Sequence, residues 1–197
     1  NFLKIGQTVR IESLATALQE LPDAAWTESD RQTVFDVHRA TQTIQLLSDD
    51  MSHTPPTRGR LYPMFEPHIQ PILDQLANHF GRGGTVIRIL FAKLGPKSQI
   101  RPHVDSGYSL INCKRVHIPI ITLPEVTFSV GGENRHLAEG EVWEINNASV
   151  HAVCNDSEQA RVHLIIDWTP TRTLLREKKP YRKDLPVFYS QKSRLAP

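Results

Sequence analysis

Hydrophobic side chains in the first part of the chain follow two different periodicities. A helical repeat of apolar positions ends just before Pro22, which predicts a short amphipathic helix near the start of the sequence. The apolar positions of this repeat are Ile11, Leu14, Leu18 and Leu21. Apolar and polar residues then alternate between 34 and 47, which predicts one or two β-strands in that range.

A loop and a second helix are predicted next. Residues 53–67 are rich in proline, glycine and arginine, which indicates a loop, either a simple connector or a segment near a functional site. The apolar positions that follow are spaced for an amphipathic helix, and Gly81 is placed to end it. These positions are Ile69, Ile72, Leu73, Leu76 and Phe80.

From Gly84 onward the sequence predicts short strands separated by turns. The predicted strands cover 85–94, 99–103, 114–122, 126–130, 135–137, 141–145, 150–154 and 160–168. The segment Gly131-Gly132-Glu133-Asn134 is typical of a hairpin turn. Strands without intervening helices favour a double-stranded β-helix, the cupin-like jelly roll. We therefore expect an all-β core that is buttressed on one outer face by the N-terminal helices.

Composition is that of an ordinary globular protein. A chain of 197 residues, with 39% hydrophobic and 22% charged residues, accommodates one domain with a full core. We expect a single domain over 1–170, with a catalytic core at about 85–170. The net charge of +2 gives no reason to expect a nucleic-acid partner. Residues 171–197 carry eight Lys or Arg against two acidic residues, which predicts a basic C-terminal extension.

Cysteine content and hydropathy bear on the cellular location. The two cysteines, Cys113 and Cys154, do not make a disulfide framework, and each is expected to pack as a small apolar residue. The sequence has no apolar run long enough to span a bilayer, and its first residues do not resemble a signal peptide. We expect a cytoplasmic protein without a membrane partner; the oligomeric state is not indicated.

The candidate chemistry centres on His103, Asp105 and His151. Residues two apart on an extended backbone point to the same side, so His103 and Asp105 share a face, and His151 follows on a distant predicted strand. Two imidazoles and one carboxylate are the ligand set of non-haem Fe(II) oxygenases, which leave other positions of the metal open for a cosubstrate and O₂. The alternative is a purely structural role, which we assign to the histidines outside these motifs: His38, His53, His68, His79 and His136.

Three further polar residues are candidates for binding an anion. Arg161 starts the last predicted strand, where its planar guanidinium is suited to the far carboxylate of a dicarboxylic cosubstrate. Arg115 and His117 alternate onto one face of an earlier strand, and an arginine inside a barrel needs an anion. The alternative for this pair is a surface ladder of salt bridges.

Four segments carry a resemblance to a known family. CKRVHIP (113–119) resembles the R-x-H strand after the first ligand pair in the aspartyl/asparaginyl β-hydroxylase family of 2-oxoglutarate oxygenases. GEVWEINN (140–147) resembles the strand and turn that lead to the second histidine of that family. HAVCNDS (151–157) and RVHLIID (161–167) resemble its closing segment. The resemblance covers roughly residues 85–170.

The resemblance implies a role for each motif residue. His103, Asp105 and His151 are expected to ligate Fe(II), and Arg161 to bind the distal carboxylate of 2-oxoglutarate. Arg115 and His117 are expected to contact the carboxylate next to the iron. Some members of the family have glycine in place of the acidic ligand. Asp105 completes the triad here and argues against halogenation, because a missing carboxylate is what makes room for a halide.

The expected function is hydroxylation of a C–H bond by a 2-oxoglutarate-dependent dioxygenase that uses Fe(II) and O₂. We expect the substrate to be an amino acid, free, within a peptide or in a biosynthetic intermediate, and the reaction to occur at its β-carbon. The alternatives are a lipid acyl chain as substrate, a non-catalytic cupin-like metal or ligand binder, and simple metal hydrolase or isomerase chemistry. Trp143 is either part of a substrate pocket or an ordinary aromatic residue of the barrel core.

Overall fold

The computed structural model describes residues 1–8, 11–26, 40–49 and 56–170. Its elements, in chain order, are β1 (Phe2–Gln7), α1 (Ile11–Gln19), a 3₁₀ turn (Asp23–Trp26), β2 (Thr41–Ser48), β3 (Thr57–Arg58), α2 (Tyr62–Phe80), β4 (Thr85–Leu94), β5 (Ser98–His103), α3 (Tyr108–Ile111), β6 (Lys114–Ile121), β7 (Val126–Val130), β8 (Glu133–Arg135), β9 (Glu141–Ile145), β10 (His151–Asn155) and β11 (Arg161–Thr169).

The strands form two sheets that face each other. The large sheet has seven strands in the order β1-β9-β6-β11-β4-β2-β3, and the small sheet has four in the order β5-β10-β7-β8. All the strand pairs recorded are antiparallel. The predicted all-β jelly roll is therefore confirmed, and the cavity between the two sheets becomes the natural place for a site.

Strand β11 is buried along its whole length because both of its faces are covered. Val162, Leu164 and Ile166 belong to the core that also contains the apolar side chains of α1 and α2. The alternating residues, Arg161, His163, Ile165 and Asp167, point to the other face, between the sheets. A strand with one apolar face and one polar face, both buried, supplies the polar groups of an interior site.

The two helices cover the outer face of the large sheet, as the sequence predicts. The core between helix and sheet includes Leu14 and Leu18 from α1 and Phe65 and Ile69 from α2. Phe65 meets Phe91 of β4 edge to face, with ring centroids 4.9 Å apart. Full burial of side chains of this size stabilises the fold by about 1.5–3 kcal/mol each. The helices thus hold the large sheet without closing the opposite, interior face.

The prediction of a loop over 53–67 is wrong for residues 62–67. Helix α2 begins at Tyr62, so residues 62–67 are helical. Pro63 is accepted in the first turn, where its missing N–H has no helical partner to lose. Pro67 and Pro71 lie inside the helix on its exposed side, while the opposite stripe is buried against the sheet. Tertiary packing of that stripe outweighs the local signal of the prolines.

Smaller differences concern strand ends. Gly131 and Gly132 have positive φ angles of 56° and 82° and form a two-residue turn, so β8 pairs with β7 from Glu133 onward rather than starting at 135. The alternating segment 34–47 yields β2 from Thr41, and residues 34–39 lie outside the described ranges. The basic extension 171–197 also lies outside them. No helix within the described residues is long and apolar enough to cross a membrane.

Candidate metal centre and cavity

The fold brings His103, Asp105 and His151 together between the sheets. One potential ligand atom from each residue lies within 4.8 Å of the others. His103 ends β5 and His151 begins β10, and the two are direct cross-strand partners. Asp105 follows β5 on a loop, with a side chain only 5% exposed. Two imidazoles and a carboxylate at this spacing suit a divalent transition metal and leave the remaining positions open to the cavity.

Backbone carbonyl groups orient both imidazole rings. Nδ1 of His103 lies 2.8 Å from the carbonyl oxygen of Arg101, and Nδ1 of His151 lies 3.0 Å from that of Ser149. A carbonyl only accepts, so Nδ1 carries the proton in each ring and Nε2 is the candidate ligand atom. Burial lowers the pKa of His151 despite the opposing effect of Asp105, which keeps the ring in its neutral, metal-binding form.

A row of alternating charges runs from Arg88 through Asp167 and Arg115 to Asp105. Arg115 donates from Nε and Nη2 to the two oxygens of Asp167, at 2.8 and 2.9 Å, and from Nη1 to Oδ2 of Asp105 at 2.5 Å. Arg88 donates from Nη1 to the same Asp167 at 2.9 Å. Burial acts to lower the pKa of Arg115, but Asp167 and Asp105 outweigh it and raise the pKa above its ordinary value. Arg115 is therefore a permanent cation.

Arg161 is a buried cation that, unlike Arg115, has no carboxylate partner among the described residues. Its side chain is 1% exposed, and no described residue accepts a hydrogen bond from its Nε or Nη2. Burial lowers the pKa of Arg161 to about 9, with no described carboxylate to oppose the effect. The ring of Phe128 lies 6.0 Å from the guanidinium carbon and supplies only a weak cation–π contact. A charge buried in this way needs an anion, and none of the described residues supplies one.

His117 and His163 lie beside Arg161 as a second polar pair. Their Nδ1 atoms are 3.4 Å apart, and Nε2 of His163 has no hydrogen-bond partner among the described residues. Burial, with Arg161 as the next cause, lowers the pKa of both histidines well below the ordinary value. Both rings are therefore neutral, and His163 offers a further polar atom close to the arginine.

One cavity joins the metal centre to Arg161. Its lining combines charged and polar groups with aliphatic and aromatic side chains. The lining residues are Thr41, Thr43, Leu90, Ala92, Ile100, His103, Arg115, His117, Phe128, His151, Val153, Arg161 and Ile165. The metal centre and this cavity together contain all the residues singled out from the sequence apart from Trp143.

Trp143 has a different place in the barrel. Its indole packs edge to face on Phe2, with centroids 6.2 Å apart, and its Nε1 donates to Glu141. It belongs to the apolar core between the sheets and does not line the cavity. These contacts favour the second interpretation, an aromatic residue of the barrel core.

Several residues of the site were not singled out from the sequence. Thr41 and Thr43 reach the cavity from β2, and Asp167 and Arg88 complete the row of charges. The spacing Arg161, His163, Asp167 on one strand face was a usable signal, because polar residues at even spacing inside an apolar strand share a side. Arg88 gave no such signal on its own.

Structural comparisons show the same fold. The chain is similar to an oxidoreductase of the 2OG-Fe(II) oxygenase family from Burkholderia pseudomallei, with 16% identity, a TM-score of 0.55 and coverage of 83% of this chain and 92% of that one. HygX from Streptomyces hygroscopicus, solved with nickel and 2-oxoglutarate, gives 13% identity, a TM-score of 0.55 and coverage of 86% and 83%. A prolyl-4-hydroxylase from Pseudomonas putida gives 12% identity, a TM-score of 0.54 and coverage of 85% of this chain and 91% of that one.

Sequence comparisons define the family. No curated protein matches the sequence significantly. The model of the aspartyl/asparaginyl β-hydroxylase family matches residues 63–170, which is more than half of the chain and contains both histidine motifs and Arg161. With its His-Asp-His cluster in a jelly roll shared with 2-oxoglutarate oxygenases, the chain belongs to the aspartyl/asparaginyl β-hydroxylase family of 2-oxoglutarate-dependent hydroxylases.

Proposed function

We propose that this chain hydroxylates a C–H bond of an amino acid, free or within a peptide or biosynthetic intermediate, with Fe(II) held by His103, Asp105 and His151. The reaction consumes 2-oxoglutarate and O₂, and the carbon attacked is the β-carbon. The family and the donor set of the triad support the metal and the reaction type.

The observation that carries the proposal is Arg161. A fully buried guanidinium with no ion pair among the described residues is costly, and it lines the same cavity as His103 and His151. A ligand that fits must therefore carry a carboxylate at one end and a metal-binding group at the other. 2-Oxoglutarate has this form, with the distal carboxylate for Arg161 and the 2-oxo acid group for the metal.

The protein groups have separate tasks in this reaction. Bound iron supplies the redox chemistry that couples decarboxylation of 2-oxoglutarate to hydroxylation of the substrate. Arg161 binds and orients the distal carboxylate, and Thr41 and Thr43 add hydroxyl groups to the same cavity. The apolar lining, which includes Ile100 and Phe128, excludes water around the cosubstrate. Arg115 and His117 also line this cavity, and the proposed contact for both is the carboxylate next to the iron.

Exposed apolar side chains next to the ligands indicate where the substrate lies. Val104 sits between His103 and Asp105 and is 46% exposed, and Val150 precedes His151 and is 55% exposed. Exposed aliphatic groups beside a metal centre provide a surface for the aliphatic part of a substrate. An amino-acid side chain that presents its β-carbon to the metal fits such a rim. Among the structural relatives, one is titled a prolyl-4-hydroxylase and HygX has been solved with hygromycin B, so the shared fold alone does not select a substrate.

The test is turnover with candidate substrates under anaerobic and aerobic conditions. The iron-loaded protein is incubated with 2-oxoglutarate and panels of free amino acids and peptides, and the products are analysed by mass spectrometry for a gain of one oxygen. Succinate is measured in parallel. Succinate formed in proportion to the oxygenated product, and only with O₂ and 2-oxoglutarate present, is the expected result.

Arg161→Gln is the matched control for the cosubstrate, because it keeps polarity but removes the charge and the fork of donors. Binding of metal without consumption of 2-oxoglutarate under any condition would contradict the proposal and favour a cupin-like metal or ligand binder. Oxygenation of an acyl chain in place of amino acids would retain the chemistry and change the substrate.

A further inference from the structure

We infer that Asp167 is a positioning residue for the metal centre: through Arg115, it holds the loop ligand Asp105 in front of the two histidines. This inference rests on the metal ligation proposed above. Asp167 is not one of the three candidate ligands, and it does not line the cavity. Its effect on the metal therefore runs through the arginine.

The three ligands differ in how the fold fixes them. His103 and His151 lie in paired strands, and a backbone carbonyl orients each ring. Asp105 lies on the loop between β5 and α3, where its own N–H donates to the carbonyl oxygen of Asn147 at 3.4 Å. That contact holds the backbone but not the carboxylate. The carboxylate thus needs a partner with a fixed position.

Arg115 is such a partner because Asp167 holds its guanidinium by two bonds. In the antiparallel register, Asp167 of β11 faces Arg115 of β6 on one side and Arg88 of β4 on the other. The fork formed by Nε and Nη2 with both oxygens of Asp167 fixes the plane of the guanidinium. Nη1 is the remaining nitrogen, and it points at Oδ2 of Asp105.

Arg115 contacts the oxygen of Asp105 that lies near His151. Oδ2 of Asp105, the atom that accepts from Arg115, lies 3.8 Å from Nε2 of His151. The three central strands of the large sheet therefore determine the position of a ligand that is attached to a loop next to the small sheet. Partners of this kind, one step removed from the metal, typically change metal affinity by about 10–100-fold when they are lost.

The row of charges also reaches the surface. Arg88, whose side chain is 18% exposed, donates from Nη2 to the hydroxyl of Ser109 in α3 at 3.4 Å. Helix α3 is the segment between Asp105 and β6. Asp167, with no exposed surface, is the member that joins both arginines, so its loss breaks the row at its centre.

The experiment is a double-mutant cycle read out by Co(II) binding. Co(II) is titrated by visible absorption into the parent, Asp167→Asn, Asp105→Ala and the double variant, without cosubstrate. We expect Asp167→Asn to weaken Co(II) binding by about 10–100-fold in the parent. In the Asp105→Ala background, the same change should have no further effect, because the carboxylate that Asp167 positions is gone.

Glu133→Gln is the matched control, since it also turns a carboxylate into an amide and breaks an exposed ion pair, with Arg135. It should leave Co(II) affinity unchanged. If Asp167→Asn does not fold, Arg115→Lys takes its place in the cycle, because a lysine keeps the charge but cannot hold two carboxylates in one plane. The same coupling with Asp105→Ala is expected.

Losses that add in the double variant, or an unchanged affinity in Asp167→Asn, would overturn the inference. A parent that binds Co(II) through its histidines and shows the coupling, but never consumes 2-oxoglutarate, would refute the proposed function and leave this inference standing. A parent that binds no Co(II) would refute both.

Discussion

His103 and His151 are direct partners across the β5–β10 strand pair, and the centroids of their imidazole rings lie 4.3 Å apart. Strand register thus brings together the two histidines of the candidate metal centre. A shift of one residue in either strand would turn one ring to the opposite face. The register shift after His151 leaves this pair opposed while the rest of β10 continues along β5. Two ligands that are distant in sequence become neighbours by pairing alone.

His151→Ala should remove metal binding at the triad. The loss should exceed the 10–100-fold that is typical of losing a supporting partner, because a ligand itself is gone. Isothermal titration with Co(II) measures the affinity, and His79→Ala, at an exposed position of α2, is the control. Unchanged affinity in His151→Ala would show that the third ligand is another residue.

Asp105→Gly should lose most hydroxylation, and the unaltered protein should not chlorinate its substrate even at high chloride. The change removes the anionic ligand and leaves Arg115 without its contact to the loop, so the two histidines hold Fe(II) less firmly. Product analysis by mass spectrometry with and without chloride measures both reactions. Near-parent turnover would mean that Asp105 is not a ligand. For the unaltered protein, any chlorinated product would contradict the argument from the complete triad.

Arg161→Met should raise the stability of the metal-free protein while abolishing its response to 2-oxoglutarate. Nε and Nη2 of the buried guanidinium have no acceptor among the described residues, and replacing the side chain by an apolar one of similar length removes a cost of about 1–3 kcal/mol. In the parent, 2-oxoglutarate together with a redox-inert metal should raise Tm, because a ligand that binds only the folded state stabilises it. Thermal unfolding with and without 2-oxoglutarate measures both effects. A variant that retains the shift in Tm would show that the distal carboxylate binds elsewhere.

Stability should fall as pH decreases below about 6.5, the ordinary pKa of histidine in an unfolded chain. His117 and His163 have folded pKa values well below that, so in this range the unfolded state takes up protons that the native state does not. Each such group lowers the free energy of unfolding by up to about 1.4 kcal/mol per pH unit, until its folded pKa is reached. Above pH 7 the two rings should contribute no pH dependence.

Denaturant unfolding of the metal-free protein between pH 5 and 7.5 measures this dependence. His163→Gln should reduce the slope of the free energy of unfolding against pH by close to one proton. His79→Gln, on the exposed side of α2, is the control for losing a histidine as such. An equal slope in His163→Gln and the parent would mean that His163 is protonated within the fold.

Local sequence patterns determined the fold class and the chemical identity of the site. Alternation over 114–121 places Arg115 and His117 on one face of their strand, and alternation over 161–169 does the same for Arg161 and His163. Since the period of a strand is two, the sequence alone decides which residues share a side. The His-x-Asp motif, the later histidine and the arginine therefore predicted a metal centre with an anion site.

Only the tertiary structure decided which groups meet. Arg115 bridges Asp105 and Asp167, whereas the sequence assigned it only to a cosubstrate. This bridge depends on the register of β6 against β11 and on a loop from the opposite sheet. The start of α2 at Tyr62 and the packing of Trp143 away from the cavity have the same origin. Each depends on contacts between segments far apart in the chain. Periodicity assigns a residue to a face, but the partner on that face is set by long-range pairing and burial.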